Sequence, residues 1–508
     1  MTLAACILAV ATFTRAMERV VSMDPLKAQS IYDCSAVRLV YDTPLEVDYA
    51  ARPYRLAPGI CDLPEVSADG RTYVLRVVPA AEGGSGLAAA DVVRALERLR
   101  DPAQASPGGW TMREVESVRA ADAQTVEIRL RRRFHVFPWM LAMSYAAVSG
   151  PDGCGTGPYR LTSWRKNHEM VFDARPEAPF WRGRPGADAF GRVRYLVVND
   201  SATQWLMFMR GEIDYMQKIS RDNWDAVIGP DGRIRPALAA RGIELLSCPA
   251  LEVFYVGFNM KDPVLGPNRR LRQALSCAFD GPTWRKFLNG SVDLADGPVP
   301  LGVEGRLETP FPYAFDPARA KALLAEAGYP GGIDPATGRR LTLTLSMGRP
   351  DQTTREQGEL MASFFERVGV RLELSQMTWS SFLEAVNRGR VQMYFMGWVG
   401  DYPDAENFLQ MFHSRNVSPG ANHSLYVNPD FDAAYDAAMD AADAAARLDG
   451  WRRCQEILRE DCPWIYTHYP RTNSLLRRRV KGFVPGDFPY GQERWLRAAD
   501  GVQTGDGK

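Results

Sequence analysis

The order of apolar and polar positions is clearest between residues 341 and 399. Leu341 to Met347 alternates as a strand. Thr353 to Val368 carries apolar residues at helical spacing, and Gly369 to Leu374 alternates again. Trp379 to Arg388 is helical, and Val391 to Val399 is an apolar run short enough for one buried strand. That βαβαβ order predicts a largely parallel sheet with both faces covered. Upstream, Tyr73–Val77 and Thr125–Leu130 alternate as half-buried strands. Between them Ala89–Arg100 places Val92, Val93, Leu96 and Leu99 on one helical face. Pro/Gly clusters punctuate the chain at 79–86, 106–109, 150–158, 176–186 and 328–338, with no repeat and no long low-complexity tract.

In parallel sheets ligands sit beyond the carboxyl ends of the strands. Here the last strand stops at an aspartate, in Gly397-Trp398-Val399-Gly400-Asp401-Tyr402-Pro403-Asp404. A carboxylate at a strand end beside an indole suits a cation held against an aromatic wall. Arg349 follows the first strand of the unit, so a guanidinium and a carboxylate at one rim suit the two ends of a zwitterion. The alternative is that both only decorate loops. Nothing nearby has the form of a catalytic group.

Composition narrows the class. The chain has 508 residues, 46% hydrophobic and 24% charged, which fits a globular protein of several domains or one large two-lobed body. Sixty-one basic residues balance 61 acidic ones, which argues against a nucleic-acid partner. The short run Leu476-Arg477-Arg478-Arg479 reads as a charged, solvated strand edge. Eight cysteines contain no CxxC pair and five histidines no HxxxH pair, so neither a metal site nor a cofactor is expected. Cys34 with Cys61 is a candidate disulfide. Cys454 and Cys462 lie about two helical turns apart, roughly 12 Å, too far to bridge. No G-x-S-x-G elbow supports a hydrolase. Leu3-Ala4-Ala5-Cys6 has the form of a lipoprotein cleavage box, which would anchor the chain by lipid at Cys6. It lacks a basic stretch before it, and Cys6–Phe13 reads instead as a first strand. No segment has the length of a transmembrane helix.

Nine short segments in order resemble the extracellular solute-binding proteins of family 5, the dipeptide- and oligopeptide-binding proteins of peptide ABC importers. They are Ser22–Pro25, Val66–Tyr73, Ala89–Val93, Gly155–Tyr159, Gly211–Asp214, Gly257–Asn259 with Arg269–Leu275, Gly400–Asp404, Asn428–Asp432 and Val480–Phe483. Each is weak alone, but together they span about residues 7 to 495. Physically, Asp69-Gly70 suits a type I′ hairpin turn, and Gly155–Tyr159 a flexible crossing between lobes. Asp430 suits a cap for a helix starting at Phe431. The stretch Ala80–Gly86 departs from the family pattern, and the block before Gly155 is shortened.

The resemblance implies an α/β, bilobal, type II periplasmic-binding-protein fold with an inserted α/β subdomain and a ligand cleft between lobes. Its expected divisions are residues 7–36 and 155–250 in lobe I, 37–154 as the inserted subdomain, 251–474 as lobe II and 475–498 as the C-terminal return to lobe I. Hinges are expected near 250–258 and 472–476. It implies a non-enzymatic, monomeric receptor, periplasmic or bound to the cell envelope, that hands a peptide to a membrane permease. A nickel chelate, oligosaccharide, opine or haem is the alternative cargo, and a hydrolase or a cytosolic sensory module the alternative class. Asp401 is expected to pair with a peptide's α-amino group, Trp398 to line a side-chain pocket, Arg349 to receive the carboxylate, and Gly397 to belong to the ligand-binding set. Tyr402, Tyr32, His468 and Tyr469 are further cleft candidates.

Overall fold

The computed structural model describes residues 10–79, 86–150, 153–181, 189–418, 420–486 and 488–499. The cleavage-box segment Leu3–Cys6 and most of the departing stretch at 80–86 lie outside them. The chain divides into two compact units, Met1–Cys248 with Thr472–Lys508, and Pro249–Arg471.

The first unit is built on the strand Thr12–Met17. It pairs in parallel with Arg192–Val197 from Thr12↔Arg192 to Met17↔Val197, and with Tyr215–Met216 through Arg15↔Tyr215. This pairing sets the strand at residues 12–17, and the part of the expected Cys6–Phe13 before residue 10 lies outside the described residues. Antiparallel Glu169–Ala174 and Tyr159–Arg165 extend the sheet on one side, and Leu475–Leu476 pair with Tyr215–Met216 on the other. A separate antiparallel sheet of Glu65–Val66, Thr72–Arg76, Thr125–Leu130 and Val115–Ala120 carries the helix Ala89–Arg100. That helix buries Val92, Leu96 and Leu99 of the predicted face and leaves Val93 half-buried.

The fold departs from the sequence pattern at several local points. The Asp69-Gly70 turn is not type I′. Gly70 alone has positive φ (66°), and the Ser67 N–H reaches the Thr72 carbonyl at 2.9 Å across a four-residue loop. Cys34 and Cys61 are unbridged buried thiols on separate elements, and burial pushes them up to about 11 and about 12. The basic run is not a solvated edge. Arg479 donates twice, at 2.6 Å each, to the buried Asp214, which also accepts the Thr14 N–H at 2.9 Å. The C-terminal return is thereby tied to the first strand. Gly155–Tyr159 is no crossing, because it lies wholly inside this unit. Its glycines let two backbones touch: a Cβ on Gly157 would sit 2.7 Å from the Leu39 carbonyl oxygen, and the Gly157 N–H donates to the Val40 carbonyl at 2.8 Å.

The second unit contains the predicted βαβαβ pattern. Strand Thr342–Gly348 lies between Arg371–Met377 and Met393–Val399 and is parallel to both. Glu252–Phe258 then pairs antiparallel with Met393–Val399 and with residues 464–468. The crossovers are the helices Gln352–Glu366 and Trp379–Asn387. Leu343, Leu345, Met347, Phe364, Phe365 and Met393 close the core between sheet and helix. The helix Pro429–Asp440 is capped by Asn428, not Asp430. The Asn428 side chain accepts the N–H groups of Asp430 and Phe431, and Pro429 takes the first helical position, where no donor is needed. No helix among the described residues is long and apolar enough to cross a membrane.

Replacing Gly157 by alanine should cost about 1–3 kcal/mol, the range for overpacking a closed contact. Urea unfolding of the variant measures it. An unchanged midpoint would mean that this segment is as loose as the sequence suggested.

Candidate ligand-binding site

The parallel pairing brings the first and last βαβαβ strands to the same rim of the second unit. Register Met347↔Phe395, continued two residues, sets Arg349 beside Gly397. Asp401 then lies four residues further on, roughly 13 Å along an extended chain. The chain leaves the sheet at Gly400, whose N–H donates to the Leu251 carbonyl at 2.7 Å. A Cβ at Gly400 would meet Leu251 Cγ at 2.7 Å and Phe408 Cζ at 2.8 Å, so a side chain does not fit there. The turn ends at Asp404, whose carboxylate accepts the Glu406 N–H at 2.9 Å and starts the short helix Ala405–Leu409.

That helix carries the residue that organises the rim. Asn407 is fully buried. Its Oδ1 accepts the Asp401 backbone N–H and the Trp398 indole N–H, each at 3.1 Å. Two donors converge only on the oxygen, which fixes the orientation of the amide. The neighbouring Glu406 is buried and accepts the hydroxyls of both Tyr402 and Tyr435. Asp401 itself is open to solvent yet closely surrounded by protein. The resulting loss of hydration pushes its carboxyl above the ordinary carboxylate range, while Asn407 pulls it back. Among the described residues, no cationic side chain pairs with it.

The other expected residues fall into different roles. Trp398 and Gly397 are half-buried at the rim. Gly397 leaves room for Phe254, whose ring would lie 2.9 Å from a Cβ there. Tyr402 is 2% exposed, and its hydroxyl is held by Glu406. His468 is buried and stacks on Phe254, with ring centroids 4.7 Å apart. Its Nδ1 accepts the Trp284 indole N–H at 3.2 Å, and burial pushes its pKa down to about 3. Tyr469 is fully buried, with its hydroxyl 3.0 Å from Asp296 Oδ1 and 2.9 Å from the Gly297 carbonyl. All three are buried. Tyr32 belongs to the other unit, half-buried at the start of Ile31–Val40, and burial raises its phenol.

Arg349 is exposed and stands in the left-handed region at φ 82°, a conformation that side chains other than glycine's adopt under strain. Its N–H continues the ladder to the Met377 carbonyl at 3.0 Å, and its guanidinium has no hydrogen bond or ion pair among the described residues. Beside it stands Trp379, 48% exposed, whose Cε3 lies 2.7 Å from where a Cβ on Gly348 would be. Sequence reasoning missed Trp379 and Asn407. The available signals were a tryptophan directly after a strand, at a helix start, and an asparagine one turn beyond the aspartate. The rim thus offers a carboxylate and a guanidinium without ion-pair partners among the described residues, and two indoles. Among the described residues, no cluster suited to a metal ion occurs.

Comparison with known proteins bears on the fold. A family model described as bacterial extracellular solute-binding proteins, family 5, matches residues 55–419. The heme-binding protein A of Haemophilus influenzae is 24% identical over 396 residues, covering 74% of this chain and 68% of that protein. The dipeptide-binding protein of Escherichia coli K12 is 24% identical over 498 residues, covering 89% and 88%. The solved structure of HbpA2 from Haemophilus parasuis superimposes with a TM-score of 0.83 at 23% identity, covering 96% of this chain and all of that one. The fold is therefore the α/β, type II periplasmic-binding-protein class.

The buried histidine makes a pH prediction. His468 is held near 3 in the folded state against about 6.5 when unfolded. Its contribution to stability is complete above about pH 6.5 and is lost as the pH falls toward 3, because only the unfolded chain takes up the proton. Between pH 7 and pH 5 this group should account for a loss of about 2 kcal/mol. His468→Phe keeps a ring against Phe254 and should remove that part of the pH dependence in urea unfolding. An identical slope in variant and parent would contradict the assignment.

Proposed function

The chain belongs to the bacterial extracellular solute-binding proteins of family 5, and on that premise we propose that it captures peptides outside the cytoplasm and delivers them to the permease of an ABC importer. The observation that carries the ligand class is Asp401, a solvent-open carboxylate with raised proton affinity and no cationic partner among the described residues. A peptide's α-ammonium supplies the missing charge through a charge-assisted hydrogen bond, which gains strength where water is scarce. Trp398 and Trp379 offer apolar walls for side chains, and the free Arg349 guanidinium suits a terminal carboxylate. A neutral or wholly anionic solute would leave Asp401 unneutralised. That disfavours oligosaccharide and acidic cargo, although a relative named for heme shares the family. In this reading the protein performs no chemistry on its ligand, and residues 37–154 form a subdomain of the first unit.

Isothermal calorimetry with a panel of di- to pentapeptides tests the reading. Asp401→Asn should weaken the best binder roughly 10- to 100-fold, as expected for losing a hydrogen bond to a charged group. Affinity in the parent protein should fall as the pH drops through the raised Asp401 value. Unchanged affinity in the variant, or binding confined to a solute without an amine, would overturn the peptide assignment.

A further inference from the structure

The Asp401 backbone and the Trp398 side chain are not independent. They are joined through one buried atom, Asn407 Oδ1, which accepts the indole N–H of one and the backbone N–H of the other, each at 3.1 Å. The amide's other end, Nδ2, is buried without a completed hydrogen bond among the described residues, and the Asn407 side chain favours the ionised form of Asp401. The residue is also held from behind. Asp404 caps the helix that carries it, Glu406 fastens that helix to Tyr402 and Tyr435, and Phe408 fills the space against Gly400.

We propose that Asn407 is the positioning residue of the site, a relay that fixes Asp401 and Trp398 relative to each other so that a change of charge at Asp401 is felt at the Trp398 indole. The proposal rests on Asp401 being the ligand-contacting carboxylate, but its test does not require a ligand. The charged groups about this turn are Asp404 and Glu406 on it, Glu304, whose backbone bridges to that of Asp404, and Glu252, opposite Val399 in the neighbouring strand. The Asp404 carboxylate accepts the Glu406 N–H, and Glu406 receives two tyrosine hydroxyls. No ion pair to Asp401 occurs among the described residues. Exchanging the amide for a carboxylate therefore places a like charge beside Asp401, with no cation paired to it among the described residues.

The experiment follows the indole N–H resonance of Trp398 in full-length protein labelled with 15N-tryptophan, identified by its loss in Trp398→Phe. In the free parent protein this resonance should titrate with Asp401, and the titration should vanish in Asp401→Asn. Asn407→Asp keeps the acceptor oxygen, so the resonance should stay at its hydrogen-bonded position while its midpoint rises by at least one pH unit. Asn407→Leu should move the resonance to that of an unbonded indole and abolish the response. The relay is refuted if the midpoint is unchanged in Asn407→Asp, which decides the matter even where Asn407→Leu does not fold, or if the Asn407→Leu resonance stays in place. Adding trialanine separates the two readings. A perturbed Trp398 resonance in the parent supports both. No perturbation with any peptide, alongside the expected midpoint shift in Asn407→Asp, would sink the peptide assignment and leave the relay standing.

Discussion

Parallel strands all end on the same side, and that constraint governs the second unit. Once Thr342–Gly348 pairs in parallel with both Arg371–Met377 and Met393–Val399, the loops after them are forced to one rim. Arg349, Trp379 and Asp401 are far apart in sequence and gather there because of backbone hydrogen bonding. The helices between the strands cover the faces and leave the ends open. Backbone strain at Arg349 and steric exclusion at Gly400 are local consequences of leaving a sheet abruptly at that edge.

The rim's charge stands out against how the molecule treats charge elsewhere. In the first unit buried ions are matched. Arg494, fully buried, is shared by Asp42 and Glu46, Arg38 meets Glu46 at 2.5 Å, Arg15 meets Glu493 at 2.5 Å and Arg479 grips Asp214. Matching is what physics requires, since a desolvated ion without a partner is costly. Asp401 breaks the pattern: crowded enough for its proton affinity to rise, open enough to meet solvent, and unmatched among the described residues. Departures of this kind are tolerated where a ligand completes the pairing.

What could be read from the sequence was what is local. Strand alternation and helical spacing placed the βαβαβ elements to within a few residues, and an apolar run ending on an aspartate pointed to Asp401. Burial is decided by distant partners and could not be read that way. His468 and Tyr469 look like polar rim residues until Phe254, Trp284 and Asp296, all from far upstream, enclose them. Tyr402 follows Asp401 directly but turns inward to Glu406. Gly155–Tyr159 has the composition of a flexible linker, yet its glycines serve a close backbone contact with Leu39 and Val40. Asn407 is not legible in this way, because an asparagine in a short helix carries no periodic signal. Its importance lies in two hydrogen bonds that only the folded turn creates.

The central claim is that Asp401 meets a ligand's ammonium. The most direct measurement is a thermodynamic cycle by calorimetry that combines Asp401→Asn with N-acetylation of the best-binding peptide. If the two groups touch, removing both costs little more than removing one, and the coupling is about 1.5–3 kcal/mol, the worth of a hydrogen bond to a charged group. If the two losses simply add, with coupling below about 0.5 kcal/mol, the ammonium lies elsewhere and Asp401 is not its partner.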